Sequence, residues 1–198
     1  MTPLARIRNT TAAVVRRRIA GSDFESAHTR IFDAPGPRWF GPEDPIWRVH
    51  ADASMFVGGI RALLLQSLHP RAMAAVSQHS GFRGDPWGRL QRTSAFLATT
   101  TYGSIQAAER LIGAINRIHA GIEGRTADGV HYRASDPELL AWVHVAEIDS
   151  FLAAHDHFGV SPLSEPERDR YVAQAAETAR RLGVLDPPTT VAETAQVL

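Results

Sequence analysis

The sequence predicts an all-α protein, a globin-like helical bundle with at most one short β-hairpin near residues 125–133. Three observations carry this. Apolar residues recur at three- and four-residue spacing through most of the chain beyond residue 45. Prolines with Ser, Thr or Asp caps mark one helix start after another. Hairpin turn chemistry stands out at one place, Asp128-Gly129.

The 198 residues suit one domain, and a hydrophobic share of 44% suffices for a real core. The expected division is an N-terminal helix with a Pro-rich connector over residues 1–43, then a helical domain over 44–198. The formal net charge of zero exerts no whole-molecule pull towards nucleic acid or anionic membrane. The absence of cysteine excludes disulfides, zinc–thiolate and iron–sulfur sites, thiolate-ligated haem and cysteine nucleophiles. A metal must therefore use His, carboxylate or Tyr. No apolar run reaches the roughly 18 residues of a transmembrane helix. The N-terminal arginines are not followed by a signal-peptide core. A cytoplasmic, reducing compartment is the default.

Residues 2–20 mix Arg with Val, Ile and Ala, the pattern of a surface helix or of a peripheral membrane contact. Pro35, Pro37, Pro42 and Pro45 impose an extended connector, whose Phe32, Trp39, Phe40 and Trp47 should pack on the body. From Asp44 or Pro45 to Leu68 the pattern is helical and apolar on nearly all sides, as in a central buried helix. Gly58 and Gly59 inside it imply a close approach by another helix or a flat ligand. Pro70 opens a short helix over 70–79 at its first position.

Asp85-Pro86 starts the next helix, and Arg89, Arg92, Thr93 and Phe96 share one of its faces. The β-branched run Thr99-Thr100-Thr101 before Tyr102-Gly103 predicts a break or sharp kink. A helix from Ser104 to about Ile122, stopped by Gly124, carries His119 on its apolar face after Ile112 and Ile115. Ser135-Asp136-Pro137-Glu138 reads as a capping box opening a helix to about Phe158. Ser164-Glu165-Pro166-Glu167 opens another to Leu182, which Gly183 stops. Thr190-Val191-Ala192-Glu193 signals one more helix with little chain after it, as expected of a domain truncated at its C-terminus.

The Arg89, Arg92, Thr93 stripe is suited to a carboxylate, a phosphate or a bound oxygen species. A solvated helix face is the ordinary reading of such a stripe. His119 has the setting of an axial haem ligand, one imidazole on an apolar helix face; a satisfied core histidine has the same pattern. In one continuous helix Thr93 and His119 would lie about 39 Å apart. They can share a ligand only if the chain turns back near Gly103. His144 is a second ligand candidate, His69 and His79 are candidates for the same cavity wall, and His155 and His157 read as surface. HExxH, GxSxG, P-loop and GxGxxG motifs are missing.

Several ordered segments resemble the oxygenase family that includes latex-clearing protein (rubber oxygenase) and the MpaB-type membrane-associated oxygenases. They are Leu-Leu-Leu-Gln-Ser-Leu-His-Pro at 63–70, Arg-x-x-Arg-Thr at 89–93, Tyr102-Gly103, Ile118-His119-Ala120, residues 132–144, and Leu163-Ser-Glu with Arg170-Tyr171. The resemblance spans roughly residues 40–190. It implies a globin-like core holding haem b, and dioxygen-dependent cleavage of carbon–carbon double bonds in isoprenoid chains. It assigns His119 as proximal iron ligand and Arg89 and Thr93 to the distal pocket. Arg92 stands where rubber oxygenases have a Lys, and Arg cannot lose its proton to ligate iron. Those enzymes also carry a distal carboxylate before the Arg stripe; here no Asp or Glu occurs between Ala53 and Gly84. The expected partners are an apolar, unsaturated or isoprenoid small molecule and dioxygen, with a homodimer left open. The alternatives are a catalytically inactive haem- or lipid-binding protein and a helical adaptor whose histidines are structural.

Overall fold

The computed structural model describes residues 24–81 and 84–198. The helix expected over residues 2–20 lies outside them. α1 is Phe24–Phe32, a helix the sequence pattern did not announce. α2 is Pro45–Ala51, α3 Met55–Leu68, α4 Pro70–His79, α5 Pro86–Tyr102 and α6 Ile105–Ala120. An antiparallel hairpin, β1 (Glu123–Arg125) with β2 (His131–Arg133), precedes α7 (Pro137–Phe158), α8 (Glu165–Leu182) and the single turn α9 (Val191–Thr194). The described chain is all-α apart from this hairpin, as expected.

Local chemistry explains most helix ends. Pro70 and Pro86 sit in the first turns of α4 and α5, where their missing N–H is harmless. The Asp85 carboxylate accepts from Gly88 N at 2.8 Å, and Ser104 Oγ accepts from Ala107 N at 3.4 Å. Ser164 with Glu167, and Thr190 with Glu193, form reciprocal capping boxes. Gly183 ends α8 at φ 107°, a left-handed conformation that glycine adopts without strain. At the start of α7 the expected box is replaced: Asp136 is the cap, accepting from Glu138 N at 3.0 Å.

Three expectations about the middle of the chain are corrected. The helix predicted from residue 45 to Leu68 is broken at Asp52–Ser54. Asp52 is extended, with ψ 145°, and its carboxylate accepts from Ser54 N at 2.8 Å and from Val160 N at 3.0 Å. These bonds replace the next helical turn. α3 is also not the buried central helix. It packs on α7 through Gly58 and Ala62, while Phe56, Ile60, Leu63, Leu64 and Leu68 are exposed. The glycines let two backbones meet, so contact runs along the small-residue stripe and turns the large side chains outward. α6 ends at Ala120, two residues before the expected Ile122, with Gly121 and not Gly124 as its cap, and Gly124 instead pairs with Tyr132 in the hairpin.

The core joins Phe40, Ile46, Val49, Ile148, Phe151, Leu152, Tyr171 and Val172. α7 is its central element. The connector packs down on it as expected, with Phe40 buried and Trp39 against the core. Arg38 donates to the carbonyls of Ile31 (3.0 Å), Phe32 (2.7 Å), Ala34 (3.1 Å) and Tyr102. Ile105 N donates to Pro37 O at 2.8 Å. The connector therefore pins the chain reversal between α5 and α6.

Candidate functional site

That reversal lets α5 and α6 line one cavity together with α2, α7 and α8. The cavity measures about 330 Å³, at the small end of ligand pockets. Its apolar lining includes Phe96, Leu97, Ile115, Val143 and Leu182. Arg92 and Thr93 reach it from α5, His119 from α6, His144 and Glu147 from α7, and His50 from α2. Arg92, Thr93 and Ile118 are themselves exposed, so the cavity opens to solvent on their side.

The predicted stripe is thus divided. Arg92 pairs with Asp85 at 3.5 Å, and Thr93 Oγ1 donates to Arg89 O at 3.1 Å. Arg89 does not line the cavity. Its guanidinium donates to Gln66 Oε1 of α3 at 2.9 Å. Burial lowers its pKa, yet an arginine stays charged throughout the ordinary pH range.

His119 lies on the cavity wall, half-buried, and its Nδ1 is enclosed with no hydrogen-bond partner. Burial lowers its pKa and so favours the neutral imidazole. His144 has the same character. Its Nε2 is enclosed and unpartnered, and burial pushes its pKa down to about 4. Two neutral imidazoles with a spare nitrogen on one cavity fit the donor requirement of an axially ligated haem. Among the described residues, no group of three or more His, Asp or Glu side chains could hold a metal ion. Side chains alone therefore build no multidentate centre here, whereas a porphyrin-held iron asks the protein for a single imidazole.

The other histidines fall elsewhere. His69 does not line the cavity; its Nδ1 caps α4 by accepting from Ala72 N at 3.3 Å, and its ring lies on Trp142 at 5.3 Å. His79 packs edge-on against Tyr132. His157 is exposed as expected, but His155 is buried at 2% exposure because the outer end of α7 turns it into the interior.

Sequence reasoning missed two cavity residues. His50 is half-buried, 2.8 Å from Thr101 Oγ1 and 3.4 Å from the Tyr171 hydroxyl, and desolvation drives its pKa down to about 3. Glu147 is the carboxylic acid of the cavity. Burial pushes its pKa up to about 7, against an opposing attraction from Arg89. The search for an acid before the Arg stripe found none, while an acid reaches the cavity from α7. Its signal was present in the sequence. Glu147 follows Leu140 by seven residues, Val143 by four and His144 by three, so it shares their helical face.

Residues 47–198 match a family model described as ER-bound oxygenase mpaB/B′/rubber oxygenase, catalytic domain. No curated protein and no solved structure matches the chain.

Proposed function

The chain belongs to the family of the mpaB and rubber oxygenase catalytic domain, and from that premise we propose that it is a haem b-dependent oxygenase acting with dioxygen on an apolar, unsaturated or isoprenoid small molecule. The observation that carries this is His119, an imidazole with an unpartnered Nδ1 on the wall of an apolar cavity that Arg92 and Thr93 also line. His119 is the proposed iron ligand. Its helix holds the ring on the wall, and its neutral state leaves a lone pair for a metal. Haem iron, when bound, supplies the activation of dioxygen that a cysteine-free, side-chain-only site lacks.

The remaining roles belong to the chain's own groups. Arg92 and the Thr93 hydroxyl sit at the open edge, where a guanidinium stabilises negative charge on oxygen and the hydroxyl donates a hydrogen bond once it turns from Arg89 O. Arg89 acts from outside the cavity lining as a half-buried positive charge, braced by Gln66. Phe96, Leu97, Ile115, Val143 and Leu182 exclude water and receive the apolar body of the substrate. His144 lies on the same wall as a second imidazole for the cofactor.

The test is an absorption spectrum of protein produced with haem supplied. Wild type is expected to show a Soret band, and His119→Ala to lose most of it while retaining the helical circular dichroism of wild type. A wild-type protein without the band, or a band unmoved by the substitution, overturns the ligand assignment.

A further inference from the structure

Glu147 stands out among the polar groups of the cavity. Among the described residues its carboxyl group makes no hydrogen bond and no ion pair, and the positive charge that it feels, Arg89, already donates to Gln66. It is half-buried and lines the cavity. The His119 and His144 side chains line the same cavity. A ligand that fills the cavity strips water from this carboxyl group, and a carboxyl group so enclosed is costly unless the ligand pairs with it.

A pure hydrocarbon cannot do so. It would fill the apolar part of the cavity and leave Glu147 sealed and unpaired. An ammonium would meet Arg89 and Arg92 nearby. A hydroxyl both donates and accepts, so it pairs with the carboxyl group whether or not that group holds its proton. Burial raises the Glu147 pKa, so both forms of the carboxyl group are relevant to this two-way match. We propose that the cavity takes an apolar substrate bearing a hydroxyl group, and that this hydroxyl is anchored by hydrogen bonding to the Glu147 carboxyl. The inference rests on the reading of the cavity as the substrate site, and it narrows the substrate class from unsaturated hydrocarbons to unsaturated alcohols. Glu147 is then a specificity-determining residue contributed by α7.

Calorimetric titration with geraniol, and with the same carbon skeleton lacking its hydroxyl, tests this on protein prepared both with and without added haem. Wild type is expected to bind geraniol at least about tenfold more tightly, the factor that roughly 1.4 kcal/mol brings. Glu147→Leu, an apolar replacement of similar volume, is expected to abolish the preference, and Glu147→Gln to keep most of it. Glu147→Met carries the same test should the leucine variant fail to fold. Equal affinity for the two probes in wild type, no binding of either, or a preference that survives the apolar substitution overturns the anchor. A missing Soret band overturns the haem assignment alone, because the comparison of probes is read without haem as well.

Discussion

His50, His144 and Glu147 line the same cavity, and burial acts on them in opposite directions. The two imidazoles are held neutral, with pKa values near 3 and near 4 against an ordinary 6.5. Their contribution to stability is fully present above about 6.5 and is lost as pH falls towards those lowered values. Glu147 is raised from 4.5 to about 7. The folded chain keeps that proton where the unfolded chain has released it, so its contribution is present below 4.5 and lost as pH rises through 7. Glu147→Gln removes the second effect only. In the absence of ligand, wild type is expected to lose up to about 3 kcal/mol relative to this variant between about pH 5 and about pH 8. Urea unfolding at the two pH values measures it; parallel pH profiles would show that Glu147 ionises as freely as in water. These residues were only partly legible beforehand. Spacing announced His119 and His144, because a histidine on an apolar stripe is visible in one dimension. Glu147 obeys the same periodicity, but a carboxylate on a helix is so often solvated that the pattern alone did not distinguish it.

At the scale of the element, the packing of α3 on α7 makes the sharpest demand. A Cβ at Gly58 would lie 2.9 Å from both Phe151 Cα and Ser150 O, whereas one at Gly59 would meet only Phe151 Cε1, at 4.0 Å. Gly58→Ala is therefore expected to destabilise the fold by about 1–3 kcal/mol despite alanine's better helix propensity. Gly59→Ala is expected to be neutral or stabilising by up to about 1 kcal/mol. Chemical denaturation of both variants decides it, and equal effects would rule out the close-approach explanation. The close approach was readable from the glycine pair, but which glycine served it was not. Helix starts were the most legible feature, because a cap is a contact over three residues: Asp85 with Gly88, Ser164 with Glu167. The break at Asp52 was not legible, because half of what holds it, the bond to Val160, comes from the far end of α7.

For the molecule as a whole, the proposed function depends on the reversal at Tyr102-Gly103-Ser104. It places the α5 groups and His119 on one cavity. A Cβ at Gly103 would approach Thr99 O to 2.5 Å, so a side chain there must distort the last turn of α5, from which the chain turns into α6. Gly103→Ala is expected to cost about 1–3 kcal/mol of stability. It should also weaken haem uptake several-fold, although residue 103 does not line the cavity. Thermal unfolding and haem titration check the two parts. Unchanged uptake in a destabilised variant would mean that the cavity tolerates a shift of its two walls.

The amino-acid sequence by itself determined the all-α class, the ends of most helices, the hairpin, the chain reversal and the family, because each is written in local caps, breakers or ordered motifs. It also determined that His119 lies on an apolar face. The tertiary structure decided what that face meets. It moved Arg89 out to Gln66, turned the large side chains of α3 towards solvent, buried His155, and brought Glu147 in from α7. The physical reason is common to all four. Periodicity assigns a side chain to a face, but burial, pairing and pKa depend on the element opposite, and that partner is chosen by packing across long separations in sequence.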